Sequence, residues 1–387
     1  MPAPSRLTVL GSGIAAIVVT LGVARFAYTP MLAPMQAQTG LSEDLAGWLA
    51  GWNYFGYLLG AVLVSRLKDL EVKDRLYRGG IVLAVVSTAM MALVPSPLVW
   101  GVSRFLAGLA AAAGLLIGSG LVLNWLIRHG HRSELGLHFS GAGLGIVLGA
   151  LVVGAAGRFT QWQGQWLALT LAGAVFAWPA LAWLPRPRYG TPLSSTAEAR
   201  HPPPTRAWLW LLQFAYFCAG FGFVVSATFT VVITEQQPRL AGQGIAMWVL
   251  VGLAATPAAV LWDRVARRVG YLNALKFAYA VQIVGIVAPA LSSSLAAAVA
   301  GAVLFGVTFI GIVGLVLTMV GVLYPAYPAQ IMARLTLGFG VAQIIGPVIA
   351  GEAAAATGSF DGSLYLAAGV MAAGLVGLQA MGRAVRG

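Results

Sequence analysis

Acidic residues are scarce in this 387-residue chain, with 11 Asp and Glu against 23 Lys and Arg. None stands in the middle of a long apolar run, and Glu134 and Glu352 fall at the ends of two such runs. A carrier of cationic compounds needs a buried carboxylate as counter-ion, so that class falls in rank, and a carboxylate proton relay is hard to place. The one cysteine, Cys218, cannot form an intramolecular disulfide, and the chain lacks a Cys/His cluster with zinc spacing. No nucleophile-base pair, metal cluster or phosphate loop is recognisable, and Gly11-Ser12-Gly13 has no strand before it to make a dinucleotide site. An enzyme is therefore not expected, nor a metal or other cofactor.

What the chain has in abundance is apolar residues. It is 59% hydrophobic and 9% charged, with a mean hydropathy of +0.86. This is the composition of an integral membrane protein, since soluble chains carry about 25% charged residues. Apolar runs predict twelve membrane helices at approximately 7–34, 45–65, 76–94, 98–123, 134–155, 163–184, 207–233, 243–262, 271–290, 295–322, 330–353 and 361–382. The N-terminal MPAPSR leads into the first without a small-residue cleavage site, so that run reads as a span and not as a removable signal. Between the sixth and seventh runs lies a proline- and arginine-rich stretch, giving an organisation of 1–184, a linker at 185–206, and 207–387.

A formal charge of +12 raises the question of nucleic acid, but the basic residues sit in short loops where membrane orientation accounts for them. An N-terminus inside puts Arg66, Lys68, Lys73, Arg75, Arg78, Arg128, Arg132, Arg186, Arg188, Arg200, Arg206, Arg264, Arg267, Arg268 and Arg334 on the cytoplasmic side. Arg158 and Arg239 are left outside. Both termini are then cytoplasmic. A shift of 200 residues lays Gly22 on Gly222, Ala27 on Ala227 and Trp48 on Trp248, as expected for two related halves.

Two cations interrupt the apolar runs, Arg25 in the first and Arg104 in the fourth. A charge at that depth costs at least ~2.5 kcal/mol and normally faces a cavity, a partner or a polar ligand. Arg25 is about 27 Å along an outward-running helix and Arg104 about 10 Å along an inward-running one, so both lie at similar depth in the outer half. A guanidinium fork suits a carboxylate or phosphate, which makes a small anion or zwitterion the preferred ligand. The alternative is that one or both snorkel or cap backbone carbonyls. Tyr28 lies one turn from Arg25, and Asn53 and Tyr57 share a face at i and i+4, whereas Trp52 and Tyr54 point elsewhere. Trp248 and Gln343 are candidate lining from the second half. His138 is expected at the cytoplasmic interface beside Arg128, His129, His131 and Arg132.

The 6+6 arrangement and three short stretches resemble the major facilitator superfamily. Trp262-Asp263-Arg264-Val265-Ala266-Arg267-Arg268 is similar to the family's D-R-x-G-R-R inter-helix loop, with Ala266 in the glycine place; Ser65-Arg66-Leu67-Lys68-Asp69 is a degenerate copy. Arg104 to Ala111 is similar to R-x-x-Q-G-x-x-A, with Ala107 replacing the glutamine. The glycine-rich Gly141 to Gly149 lacks the proline of the antiporter motif, while Gly346-Pro347 and Gly351 stand at the pseudo-equivalent place. Arg25-Phe26-Ala27-Tyr28-Thr29-Pro30-Met31-Leu32 looks like the YbfB/YjiJ branch of bacterial facilitators. The resemblance implies a monomeric secondary transporter of the bacterial inner membrane, working by alternating access and linked to protons. Its site would comprise Arg25, Tyr28, Asn53, Tyr57, Arg104, Trp248 and Gln343, with Asp263, Arg264, Arg267 and Arg268 in gating. Alternatives are efflux of apolar or aromatic compounds, and a non-transporting sensor or lipid-handling protein.

Overall fold

Backbone amides in hydrocarbon must be satisfied within their own segment, and every regular element among the described residues is a helix. The computed structural model describes residues 5–131, 135–187, 205–324 and 328–384. Arg132, Glu134, Arg188, Arg200 and most of the linker expected at 185–206 lie outside them.

In chain order the helices are α1 (Arg6–Thr39), α2 (Glu43–Arg66), α3 (Leu70–Leu93), α4 (Pro97–Arg128), α5 (Gly136–Ala156), α6 (Trp162–Ala182) and α7 (Arg206–Glu235), then α8 (Gly244–Ala255), α9 (Ala258–Val269), α10 (Tyr271–Leu291), α11 (Leu295–Leu323), α12 (Pro328–Thr357) and α13 (Asp361–Ala384). Among the described residues, ten are long and apolar enough to cross a membrane, or eleven if α8 and α9, bent by 44° at their break, form one span. The helix α2 is 24 residues long but falls outside that set, because Trp52, Asn53, Tyr54 and Tyr57 dilute its apolar run. The remaining expected span is thus a helix of sufficient length and lower hydropathy.

Two boundaries differ from expectation for a physical reason. The first helix continues past 34 to Thr39 and stops at Gly40, whose φ of 72° ends the helix. The stretch from Trp262 to Arg268 is not a loop but the body of α9. Ala258, Trp262 and Ala266 are buried at four-residue intervals, so an apolar stripe carries the helix forward while Arg264, Arg267 and Arg268 face outward.

The first six helices pack as α2 on α4, α3 on α6 and α1 on α5; the rest pack as α7 on α12 and α13 and α10 on α11. Three seams join these groups: α2 with α12, α5 with α8, and α1 with α7. Small residues let backbones meet there. A methyl on Gly47 would overlap the Pro347 carbonyl, and one on Gly351 the Glu43 carbonyl. In the second seam, a Cβ on Gly143 would sit 2.6 Å from the Gly252 carbonyl. Thr29 Oγ1 crosses the third, donating to the Ala227 carbonyl at 2.5 Å. The Trp48 and Trp248 pair differs in surroundings: Trp48 is 48% exposed and Trp248 is buried.

Candidate functional site

The site begins with a change of helical pitch. Residues Val18–Phe26 of α1 form a π-helix, and Ala27 N–H donates to the Gly22 carbonyl at 2.9 Å. Thr20 Oγ1 returns a bond to the Ala16 carbonyl at 2.8 Å, a contact that tends to bend helices, and Pro30 supplies no N–H to the carbonyls of the preceding turn. Such wide turns recur at functional positions.

Arg25 lies within this stretch and is buried. Its guanidinium carbon stands 4.5 Å from the Tyr54 ring centre, 4.7 Å from Tyr57 and 5.6 Å from Phe26. Among the described residues it forms no ion pair or hydrogen bond, and its Nε is buried without a partner. The rings offset part of the charge's desolvation, by up to about 2 kcal/mol each for a desolvated contact. They leave the N–H donors unused. Tyr54 was expected to point away; it faces Arg25 because Tyr54 and Tyr57, at i and i+3, share a helix face.

Arg104 is placed differently. Its Nη1 donates to the Ala24 carbonyl at 2.9 Å and its Nη2 to the Arg25 carbonyl at 3.2 Å, while Tyr28 lies under the guanidinium at 4.4 Å. The two arginines are therefore neighbours, but both Nη atoms of Arg104 are spent on backbone, leaving only its Nε buried without a partner among the described residues. Tyr28 in turn donates to the Ala46 carbonyl at 3.0 Å, and Asn53 Nδ2 to the Arg104 carbonyl at 2.9 Å. Asn53 Oδ1 has no partner. Tyr28, Asn53 and Arg104 thus frame the position in which Arg25 and Tyr57 are held.

An aromatic run continues into the second group of helices. Phe26 meets Phe309 edge-on at 6.2 Å; Phe309 stacks with Phe305 at 5.1 Å and Phe223 at 5.3 Å; Phe339 stacks with Tyr216 at 4.4 Å. Trp248 and Gln343 are buried, with Trp248 Nε1 and Gln343 Oε1 unpartnered, and Gln282 has both amide atoms unpartnered. Gln282 carried no sequence signal, since one glutamine in an apolar run is commonly a packing hydrogen bond.

A family model described as the uncharacterised MFS-type transporter YbfB matches residues 17–378. The chain belongs to this family. The uncharacterised MFS-type transporter YceJ of Bacillus subtilis (strain 168) is 29% identical over 96 residues, 25% of this chain and 25% of that protein. The gentisate transporter of Corynebacterium glutamicum is 30% identical over 82 residues, 21% of this chain and 18% of that one. Each alignment spans a quarter or less of the relative's length. The nucleoside transporter NupG has a similar fold, with a TM-score of 0.70 at 13% identity over 96% of this chain and 98% of that one. So does a bacterial homolog to the human lysosomal transporter Spinster in an inward-facing and occupied conformation, with a TM-score of 0.72 at 15% identity over 99% and 98%. At these identities the likeness is one of fold.

As an MFS transporter the protein is a multi-pass helical membrane protein. The family's charged inter-helix motif here lies on α9, where Asp263 pairs with Arg267 of the same helix at 2.7 Å. The tie to a neighbouring helix comes from Trp262, whose Nε1 donates to the Val307 carbonyl at 2.6 Å.

Proposed function

We propose that this MFS transporter moves a small aromatic carboxylate by alternating access, with Arg25 as the anchor for the carboxylate. The observation that carries the reading is the Arg25 guanidinium, buried among Tyr54, Tyr57 and Phe26 and lacking a hydrogen-bond or ion-pair partner among the described residues. A bound carboxylate accepts two parallel N–H bonds from such a fork and neutralises a charge that is costly in the span. The neighbouring rings of Phe309, Phe305 and Phe223 offer faces and edges to a planar substrate. The relative named as a gentisate transporter supports an aromatic acid.

In this reading Arg104 and Asn53 position the anchor, and Trp248 and Gln343 line the path from the second half. The halves 1–184 and 207–387 rock across the three seams, with substrate held between them. Asp263, Arg264, Arg267 and Arg268 take part in that motion from the surface of α9. The distribution of basic residues supports cytoplasmic termini in a bacterial inner membrane. Coupling to protons and a monomeric state complete the proposal.

The test is thermal stabilisation of purified protein by gentisate, benzoate, inorganic phosphate and hydrophobic cations, followed by uptake into liposomes. Stabilisation by gentisate or benzoate that disappears in Arg25→Gln is the expected result. The aromatic run also suits an apolar aromatic compound carried outward. Shifts confined to hydrophobic compounds, and kept in Arg25→Gln, would select that reading instead.

A further inference from the structure

A buried histidine lies outside the Arg25 site. His138 on α5 is fully buried, not at the interface where its basic sequence neighbours would put it. Its Nε2 is 2.8 Å from Ser119 Oγ on α4, and its Nδ1 has no partner among the described residues. The ring's free edge points at Gly13 of α1: a Cβ there would overlap Nδ1 and lie 2.6 Å from Cε1. The glycine thus makes the niche that the imidazole occupies, and Val122 closes it, 3.0 Å from the same Cβ position.

We propose that His138 is the group that takes up the coupling proton of this transporter, at Nδ1. The proposal rests on the transport reading but not on the identity of the substrate. Buried polar atoms without partners are rare and call for an explanation. The spans offer few rivals among the described residues. Asp74 is the one buried carboxylate among them; its Oδ1 has no partner, but its Oδ2 is paired with Arg78 at 2.9 Å. Imidazole is also the side chain whose charge changes most readily between pH 5 and 8.

The geometry gives protonation a mechanical consequence. In the tautomer whose Nε2–H donates to Ser119 Oγ, a proton from water bonds to the Nδ1 lone pair and makes an N–H that faces the Gly13 niche, where no acceptor waits. The neutral ring fits the closed contact of α1, α4 and α5; the imidazolium fits only when that contact opens and admits water. Release of the proton to water restores the closed packing. The helix α1 carries both Gly13 and Arg25, 12 residues apart or about 18 Å. It also meets α5 backbone to backbone at Gly22 and Gly145, so displacement at His138 bears on the anchor.

Charged groups on the helices packed against α5 stand away from the ring. On α1 they are Arg6, about 10 Å along the helix from Gly13, and Arg25. On α4 they are Arg104 and Arg128, about 22 Å and 13 Å from Ser119, followed by His129. Asp263 is half-buried, and Arg264, Arg267 and Arg268 are exposed on α9. Among the described residues α6 and α8 contribute none.

The experiment is a pH jump on liposomes containing the full chain, adsorbed to a sensor membrane, without substrate. The wild type is expected to give a transient proton-binding current that rises through a single midpoint to a plateau as the pH is lowered. His138→Gln is expected to abolish it, and a His129→Asn, His131→Asn double variant to keep it. Ser119→Ala removes the Nε2 partner and is expected to move the midpoint by about half a pH unit or more. Absence of the wild-type current, its survival in His138→Gln, or an unmoved midpoint in Ser119→Ala overturns the proposal. Stabilisation by gentisate is read separately, so that losing the carboxylate substrate and losing the proton site are different results.

Discussion

Arg104 donates to the carbonyls of Ala24 and Arg25, at 2.9 and 3.2 Å, so one buried cation grips the backbone that carries the other. The two arginines therefore divide the work. Arg104 is bound within the protein, while the side chain of Arg25 keeps its donors for something that is not part of it.

Replacing Arg104 should chiefly cost stability. A lysine keeps the charge but is a point charge without the planar two-nitrogen fork, so it does not reproduce both bonds in their present geometry. Arg104→Lys is expected to lose about 2 kcal/mol, seen as a lower unfolding midpoint in detergent. An unchanged midpoint would falsify the clamp.

Replacing Arg25 should do the opposite. Arg25→Gln removes a buried charge that lacks a partner, so stability without ligand should stay level or rise by about 1 kcal/mol. Carboxylate stabilisation should vanish in the same samples. A loss of stability comparable to that of Arg104→Lys would show that Arg25 is structural.

The cage makes a graded test possible. Tyr54→Phe keeps an aromatic face 4.5 Å from the guanidinium and should bind carboxylates as the wild type does. Tyr54→Leu removes a contact of about 1 kcal/mol and should weaken binding roughly five-fold by titration. Equal affinities in the two variants would remove the ring from the site.

At the α2–α12 seam, Gly47→Val places a branched side chain where the Pro347 carbonyl now lies. The closed contact at the end bearing Glu43 and Glu352 should become inaccessible. Transport should fall at least ten-fold with the fold retained, and a cysteine probe at that end should label faster. Unchanged labelling would mean that the seam does not need to close.

On α9, the Asp263–Arg267 pair lies within one helix, with Arg267 exposed and Asp263 partly so. Asp263→Asn should therefore change stability by less than about 1 kcal/mol. Trp262→Phe, which deprives the Val307 carbonyl of its donor, should cost more, about 1 to 2 kcal/mol. Melting curves of the two variants, measured side by side, decide the order.

Sequence alone determined the membrane-spanning helical architecture, because hydrocarbon demands long apolar helices whatever their arrangement. It also singled out Arg25 and Arg104, since a cation in such a helix stands out in any order of packing. The spacing paired Tyr57 with Asn53 and turned Tyr54 away; that Tyr54 and Tyr57 together face Arg25 was decided by the partner helix. What only the tertiary structure decided is which arginine is spoken for. The carbonyls that Arg104 takes belong to Ala24 and Arg25, 80 and 79 residues away, and are presented by a π-helical turn. His138 is a similar case: a cluster of basic neighbours pointed to the interface, while Gly13, 125 residues earlier, makes room for the ring in the interior. Burial and hydrogen-bond satisfaction depend on groups distant in the chain, and local pattern does not contain them.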